Sequence, residues 1–85
     1  TLAFADHALG EMNFSGGHVE AHTTAQPLGM ELGFVTPDVA TAHSTALAAG
    51  ATELSAPQTK PWGQVVSYVR CPDGTLVELC TPVGA

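Results

Sequence analysis

Hydrophobic and polar positions alternate with a two-residue period over Gly29–Val35 (GMELGFV), putting Met30, Leu32 and Phe34 on one face and Glu31, Gly33 and Val35 on the other. That pattern predicts a strand. Thr36-Pro37-Asp38 follows as a helix start, with either Thr36 as cap and Pro37 at the first helical position, or Asp38 as the cap itself. Val39, Ala42, Ala46 and Ala49 then recur at helical spacing beside Leu47, and Gly50 supplies a left-handed stop. The small alanine side chains let such a helix lie close against a sheet. Ala51–Leu54 predicts a short strand, and Ser55–Gly63 (SAPQTKPWG), with its two prolines, a loop. Gln64–Arg70 (QVVSYVR) is rich in residues that favour strands. Pro72-Asp73-Gly74 predicts a turn, and Thr75–Cys80 (TLVELC) a returning strand. In that last strand Thr75, Val77 and Leu79 share one face, while Leu76, Glu78 and Cys80 share the other.

The order from Gly29 is therefore strand, helix, strand, strand, strand. It predicts an α+β unit, a βαβββ module with its helix on one face of a curved mixed sheet. Leu32, Phe34, Val77 and Leu79 are expected to pack against the helix, leaving Glu31 and Glu78 on the opposite face. The front of the chain is different in kind. Thr1–Leu9 is an apolar run read as a strand, with His7 in register with Thr1, Ala3 and Ala5. A Gly- and His-rich stretch, Asn13–Gln26, follows as a linker.

Composition narrows the classes of function. The chain has 85 residues, enough for one small domain near the lower limit for a self-sufficient core. Two basic residues, Lys60 and Arg70, stand against eight acidic ones, for a formal charge of −6. Without a cluster of cations to neutralise phosphates, neither nucleic acid nor an anionic membrane surface is expected as a partner. No run approaches the ~20 apolar residues of a membrane span, and no signal peptide is visible. Two cysteines, Cys71 and Cys80, are too few for a disulfide framework. They flank the predicted turn, so a bridge stays open, although reduced thiols in a cytoplasmic protein are the plainer expectation.

The segments FVTPDVATAHSTALAAGA and KPWGQVVSYVRCPDGTLVEL, closed by Pro82, resemble the vicinal oxygen chelate superfamily, which includes glyoxalase I, bleomycin-resistance proteins, extradiol dioxygenases and fosfomycin-resistance enzymes. The resemblance runs from Gly29 to Pro82, about two thirds of the chain. Complete members pair two βαβββ modules around one pocket. By that resemblance residues 29–85 form a whole module, and residues 1–28 form the tail of a partial first module and a linker, together one domain. Either the chain is a fragment or a partner chain completes the pocket. A homodimer is expected, with strand exchange as one way of forming it, because one and a half modules leave sheet edges uncovered.

The same resemblance implies candidate site residues. Glu78 matches the last-strand glutamate that serves metal-using members as ligand or base. Glu31 falls at the first-strand position, which is often a histidine in such members. Two carboxylates side by side on an enclosed face repel, so a proton or a cation is expected between them. Their oxygens suit a divalent ion such as Mg, Mn, Ni, Zn or Fe. A solvated strand glutamate is the plainer alternative for each. Trp62 and Tyr68 are candidate aromatic walls for a small-molecule ligand, with Phe4 and His7 as further lining. For Trp62 a core plug under the proline loop is an equal alternative. His18, Glu20 and His22 sit two residues apart, and an extended backbone would point all three side chains one way, as a metal site requires. No rigid scaffold is evident for that segment. His43, mid-helix, is read as structural or solvent-facing. The expected function is a small-molecule site with metal-dependent lyase or isomerase chemistry; the alternatives are a non-catalytic drug- or ligand-binding protein and a truncated product without activity.

Overall fold

The computed structural model describes residues 2–84. Its elements are α1 (His7–Asn13), a 3-10 turn (Ala21–Thr23), β1 (Glu31–Val35), α2 (Val39–Ala48), β2 (Thr52–Thr59), β3 (Val65–Arg70) and β4 (Leu76–Cys80). The four strands form one sheet in the order β1-β4-β3-β2. β1 runs parallel to β4, and the other two pairings are antiparallel. The expected mixed α+β module is therefore present from β1 to β4.

Local chemistry sets the boundaries. Asp38 is the helix cap, its carboxylate accepting from the Thr41 backbone N–H at 3.0 Å and from the Thr41 hydroxyl at 2.7 Å. These two bonds hold the Asp38 carboxyl below the usual carboxylate range. The helix stops at Gly50, whose φ of +107° only glycine adopts without strain. The Pro72-Asp73-Gly74 turn closes with Gly74 N–H donating to the Cys71 carbonyl at 2.8 Å, while the Asp73 carboxylate accepts from Thr75 N–H at 2.9 Å.

The core lies between α2 and the sheet. Val39, Val69, Val77 and Leu79 are buried, with Ala42, Ala46, Ala51, Val65 and Cys71 packed around them. Burying each large aliphatic side chain is worth roughly 1.5–3 kcal/mol. Phe34 departs from expectation. It shares the helix-side face, opposite Leu79 in the register, yet stays 50% exposed. Its strand is an edge, so α2 does not reach over it; α2 packs on β2, β3 and β4.

Three other expectations are corrected. The apolar run at the front does not form a strand. Asp6 accepts from Leu9 N–H at 2.7 Å and caps helix α1, so His7 opens a helix instead of lining a strand. Thr1, read as in register with His7, lies outside the described residues. The short strand at Ala51–Leu54 and the loop after it are one longer strand, β2, running through Pro57 to Thr59. An edge strand tolerates a proline because one side of its ladder is unpaired, and β2 also carries register shifts between Glu53 and Gln58. Finally, the Gly- and His-rich segment is held in place. Arg70 donates to the carbonyls of Ala21 at 2.7 Å and Thr24 at 3.0 Å, tying the 3-10 turn to β3.

Candidate functional site

Alternation along the strands places Glu31, Glu78, Tyr68 and Arg70 on the sheet face away from α2. In the register, Gly33 of β1 lies opposite Glu78, and Glu78 lies opposite Tyr68. Glu31, two residues before Gly33, points the same way. Gly33 has no side chain to stand between them. Tyr68 then reaches across: its phenol donates to Glu78 Oε2 at 2.9 Å and lies 3.3 Å from Glu31 Oε1. Both carboxylates are thus within one hydrogen bond of the same oxygen. The phenol has a single proton, which goes to Glu78, so Glu31 at 3.3 Å is a neighbour of the hydroxyl and not a second full acceptor.

The electrostatic consequence falls on Tyr68. Hydrogen bonding to Glu78 and the negative charge of both carboxylates push its pKa up to about 12. At neutral pH it is a firmly protonated donor and not a base. The face is open: Glu31 is exposed, while Glu78 and Tyr68 are half-buried. All three donors are oxygens, which suits a hard divalent ion, with Glu31 and Glu78 as its two charged ligands. Two ligands do not complete a coordination shell, so the rest would have to come from outside these residues.

The other candidate residues lie apart from this group. Trp62 sits in the β2–β3 turn, 64% exposed, its indole N–H donating to Gln64 Oε1 at 2.8 Å. It is not a core plug. Phe4 is 77% exposed ahead of α1. His7 opens α1 and hydrogen-bonds through Nδ1 to His18 Nε2 at 2.8 Å. A small cleft of about 90 Å³ is lined by Ala21, Leu28, Met30, Gly74, Thr75 and Leu76. It is apolar, it excludes the two carboxylates, and it is well below the ~300 Å³ of ordinary ligand pockets. The carboxylate–phenol face has the chemistry; this cleft does not.

A buried polar relay was not legible in the sequence. His43 Nδ1 lies 2.9 Å from Ser67 Oγ, and its Nε2 lies 2.8 Å from Glu53 Oε1. A carboxylate only accepts, so Nε2 carries the proton and Nδ1 accepts from the serine hydroxyl. The residue types are those of a nucleophile, a base and an acid. Ser67, however, is 0% exposed and His43 is 4% exposed beneath α2, so no substrate reaches them. The relay is structural. The cysteines are likewise unactivated: both are free, and burial pushes both thiols up.

No family model and no curated protein matches the sequence. Solved structures do match. A member of the glyoxalase/bleomycin resistance protein/dioxygenase superfamily from Sphaerobacter thermophilus is 29% identical, with a TM-score of 0.57 over 67% of this chain and 46% of its own. A glyoxalase-related enzyme from Fulvimarina pelagi is 27% identical, with a TM-score of 0.68 over 92% of this chain and 58% of its own. A protein of unknown function from Agrobacterium tumefaciens is 25% identical, with a TM-score of 0.63 over 89% of this chain and 57% of its own. The resemblance to the vicinal oxygen chelate superfamily is supported by these structures, whose fold this chain shares. The chain spans about half the length of the structures it matches, 46–58%. Among the described residues no helix is long and apolar enough to cross a membrane.

Proposed function

We propose that the face bearing Glu31, Tyr68 and Glu78 is one wall of a small-molecule pocket, completed by a second copy of this chain, and that the pocket supports metal-assisted lyase or isomerase chemistry of the glyoxalase kind. The carrying observation is the single phenol within hydrogen-bonding reach of two carboxylates on adjoining strands. Glu31 and Glu78 would hold a divalent ion such as Mg or Mn. Such an ion, when bound, polarises neighbouring substrate oxygens. Glu78 moves a proton at the carbon beside them, and Tyr68 orients Glu78 by its hydrogen bond. Exposed apolar side chains support the second copy. Helix α1 has no buried residue, and Met12, Phe14 and Phe4 are 83%, 62% and 77% exposed.

A second reading is a metal-free binding protein for a cationic or hydroxyl-rich ligand. It is favoured by the Tyr68 hydroxyl, which already occupies the place between the acids, and by the formal charge of −6. Mn²⁺ titration of the untagged protein separates the two. One ion per site, lost in Glu78→Gln, supports the metal-assisted reading. No Mn²⁺ binding, together with quenching of the lone Trp62 by bleomycin, supports the binder. Failure of both removes the pocket.

A further inference from the structure

Three of the four histidines gather at one place outside that face. His7 begins α1, Glu20 caps the 3-10 turn, and His22 lies within it. The ligating atoms of His7, Glu20 and His22 all lie within 4.8 Å of one another. His7 Nε2 is 3.5 Å from Glu20 Oε1. Two donors on one tetrahedral Zn²⁺, each about 2.0–2.1 Å from the metal, are about 3.4 Å apart. The pair therefore stands at ligand spacing already, and the third donor needs only a side-chain adjustment.

We infer that His7, Glu20 and His22 form a binding site for a borderline divalent transition ion of the zinc, nickel or cobalt type. Imidazole nitrogen selects such ions over magnesium or calcium. His18 completes the arrangement as a positioning residue. Its ring lies edge to edge with that of His7, nearly in the same plane, with centroids 5.0 Å apart and an interplanar angle of 13°. When the proton of the His7 Nδ1–His18 Nε2 bond sits on His7, the His7 Nε2 lone pair is left facing Glu20 and the ion. Metal-bound histidines commonly donate their other ring N–H in this way.

The scaffold is firm. Asp6 fixes the start of α1, and Thr23 donates through both its N–H and its hydroxyl to the Glu20 carbonyl at 3.0 and 2.7 Å. Arg70 holds the Ala21 and Thr24 carbonyls against β3. A Cβ at Gly74 would collide with the backbone at Ala21 and His22, so the turn seats directly on the Pro72-Asp73-Gly74 corner. An ion bound here staples α1 to a turn anchored on the sheet. Three protein ligands leave a position open for water.

This site does not depend on the carboxylate–phenol face, and the experiment keeps the two apart. The untagged protein is titrated with Zn²⁺ against a chromophoric chelator, and with Co²⁺ followed by visible absorption. One ion per chain is expected, with intense tetrahedral Co²⁺ bands. His22→Ala and Glu20→Gln should each weaken Zn²⁺ binding at least tenfold, and His18→Ala roughly 10–100-fold through loss of the His7 orientation. Glu78→Gln should leave Zn²⁺ affinity unchanged. These ligands are exposed and outside the core, so circular dichroism of the variants should match the parent. Equal affinity in the parent, His22→Ala and Glu20→Gln proteins would overturn the inference. So would loss of Zn²⁺ binding in Glu78→Gln alone.

Discussion

Replacing Ser67 with alanine tests how the buried relay holds α2 to the sheet. The hydroxyl is 2.9 Å from His43 Nδ1, with Ser67 0% and His43 4% exposed. Among the described residues every buried side-chain nitrogen or oxygen has a hydrogen-bond partner. Ser67→Ala removes one such bond and strands an imidazole nitrogen where water cannot follow. A net hydrogen bond is worth about 1 kcal/mol and an unpaired buried polar atom costs about 1–3 kcal/mol, so a loss near 2 kcal/mol is expected. Glu53 gives the contrast. Its bond to His43 is as short, 2.8 Å, but its side chain is 48% exposed. Water can replace it, and Glu53→Gln should cost less than about 1 kcal/mol. Urea unfolding followed by circular dichroism measures both, with the slope checked for constancy. If Glu53→Gln costs as much as Ser67→Ala, burial does not set the strength of these bonds and the reasoning fails.

Other outcomes follow from the same geometry. Val69 is 1% exposed at the centre of the core, so Val69→Ala should lose about 2 kcal/mol in urea unfolding, whereas Val83→Ala, 78% exposed, should stay within about 0.5 kcal/mol. Gly74 has φ of +91° and abuts the Ala21–His22 backbone, so Gly74→Ala should cost roughly 1–3 kcal/mol and speed amide exchange over residues 20–24. Arg70→Ala should open the same segment to limited proteolysis without unfolding the sheet, because its carbonyl contacts are all to residues 21–25 and 74. Light scattering at micromolar concentration should give twice the 8.7 kDa chain mass, and a monomer would remove the second copy from the proposed pocket.

The module was legible where one physical signal dominated. Period-two alternation fixed β1 and β4, and hence the shared face of Glu31 and Glu78; the Pro-Asp-Gly corner fixed the β3–β4 hairpin. What escaped depends on tertiary context. Asp6 caps α1 only because Leu2–Leu9 is not paired as a strand, and an apolar run without turn signals does not reveal which state wins. Pro57 argues against a strand unless that strand is known to be an edge. His43 on an alanine-rich helix carries no mark that Ser67 and Glu53 meet it from β3 and β2. The clustering of His7 with Glu20 and His22 rests on Arg70, nearly fifty residues later, gripping the intervening turn. Tyr68 is an aromatic-wall candidate in the sequence, and only the β3–β4 register shows it side by side with Glu78.

The placement of the Tyr68 hydroxyl against Glu78 and Glu31 is the point on which the proposed pocket turns, and it has a direct readout. Tyr68 is the lone tyrosine, so phenolate absorbance near 295 nm reports it without interference from another residue. A raised folded pKa means that the bond stabilises the fold fully below the unfolded value near 10, and that this stabilisation is lost as pH climbs from about 10 to about 12. With circular dichroism recorded in parallel, the expected midpoint is about 12, falling back toward 10 in Glu78→Gln. A parent midpoint near 10 while the chain is still folded would mean that the phenol does not stand between the two carboxylates.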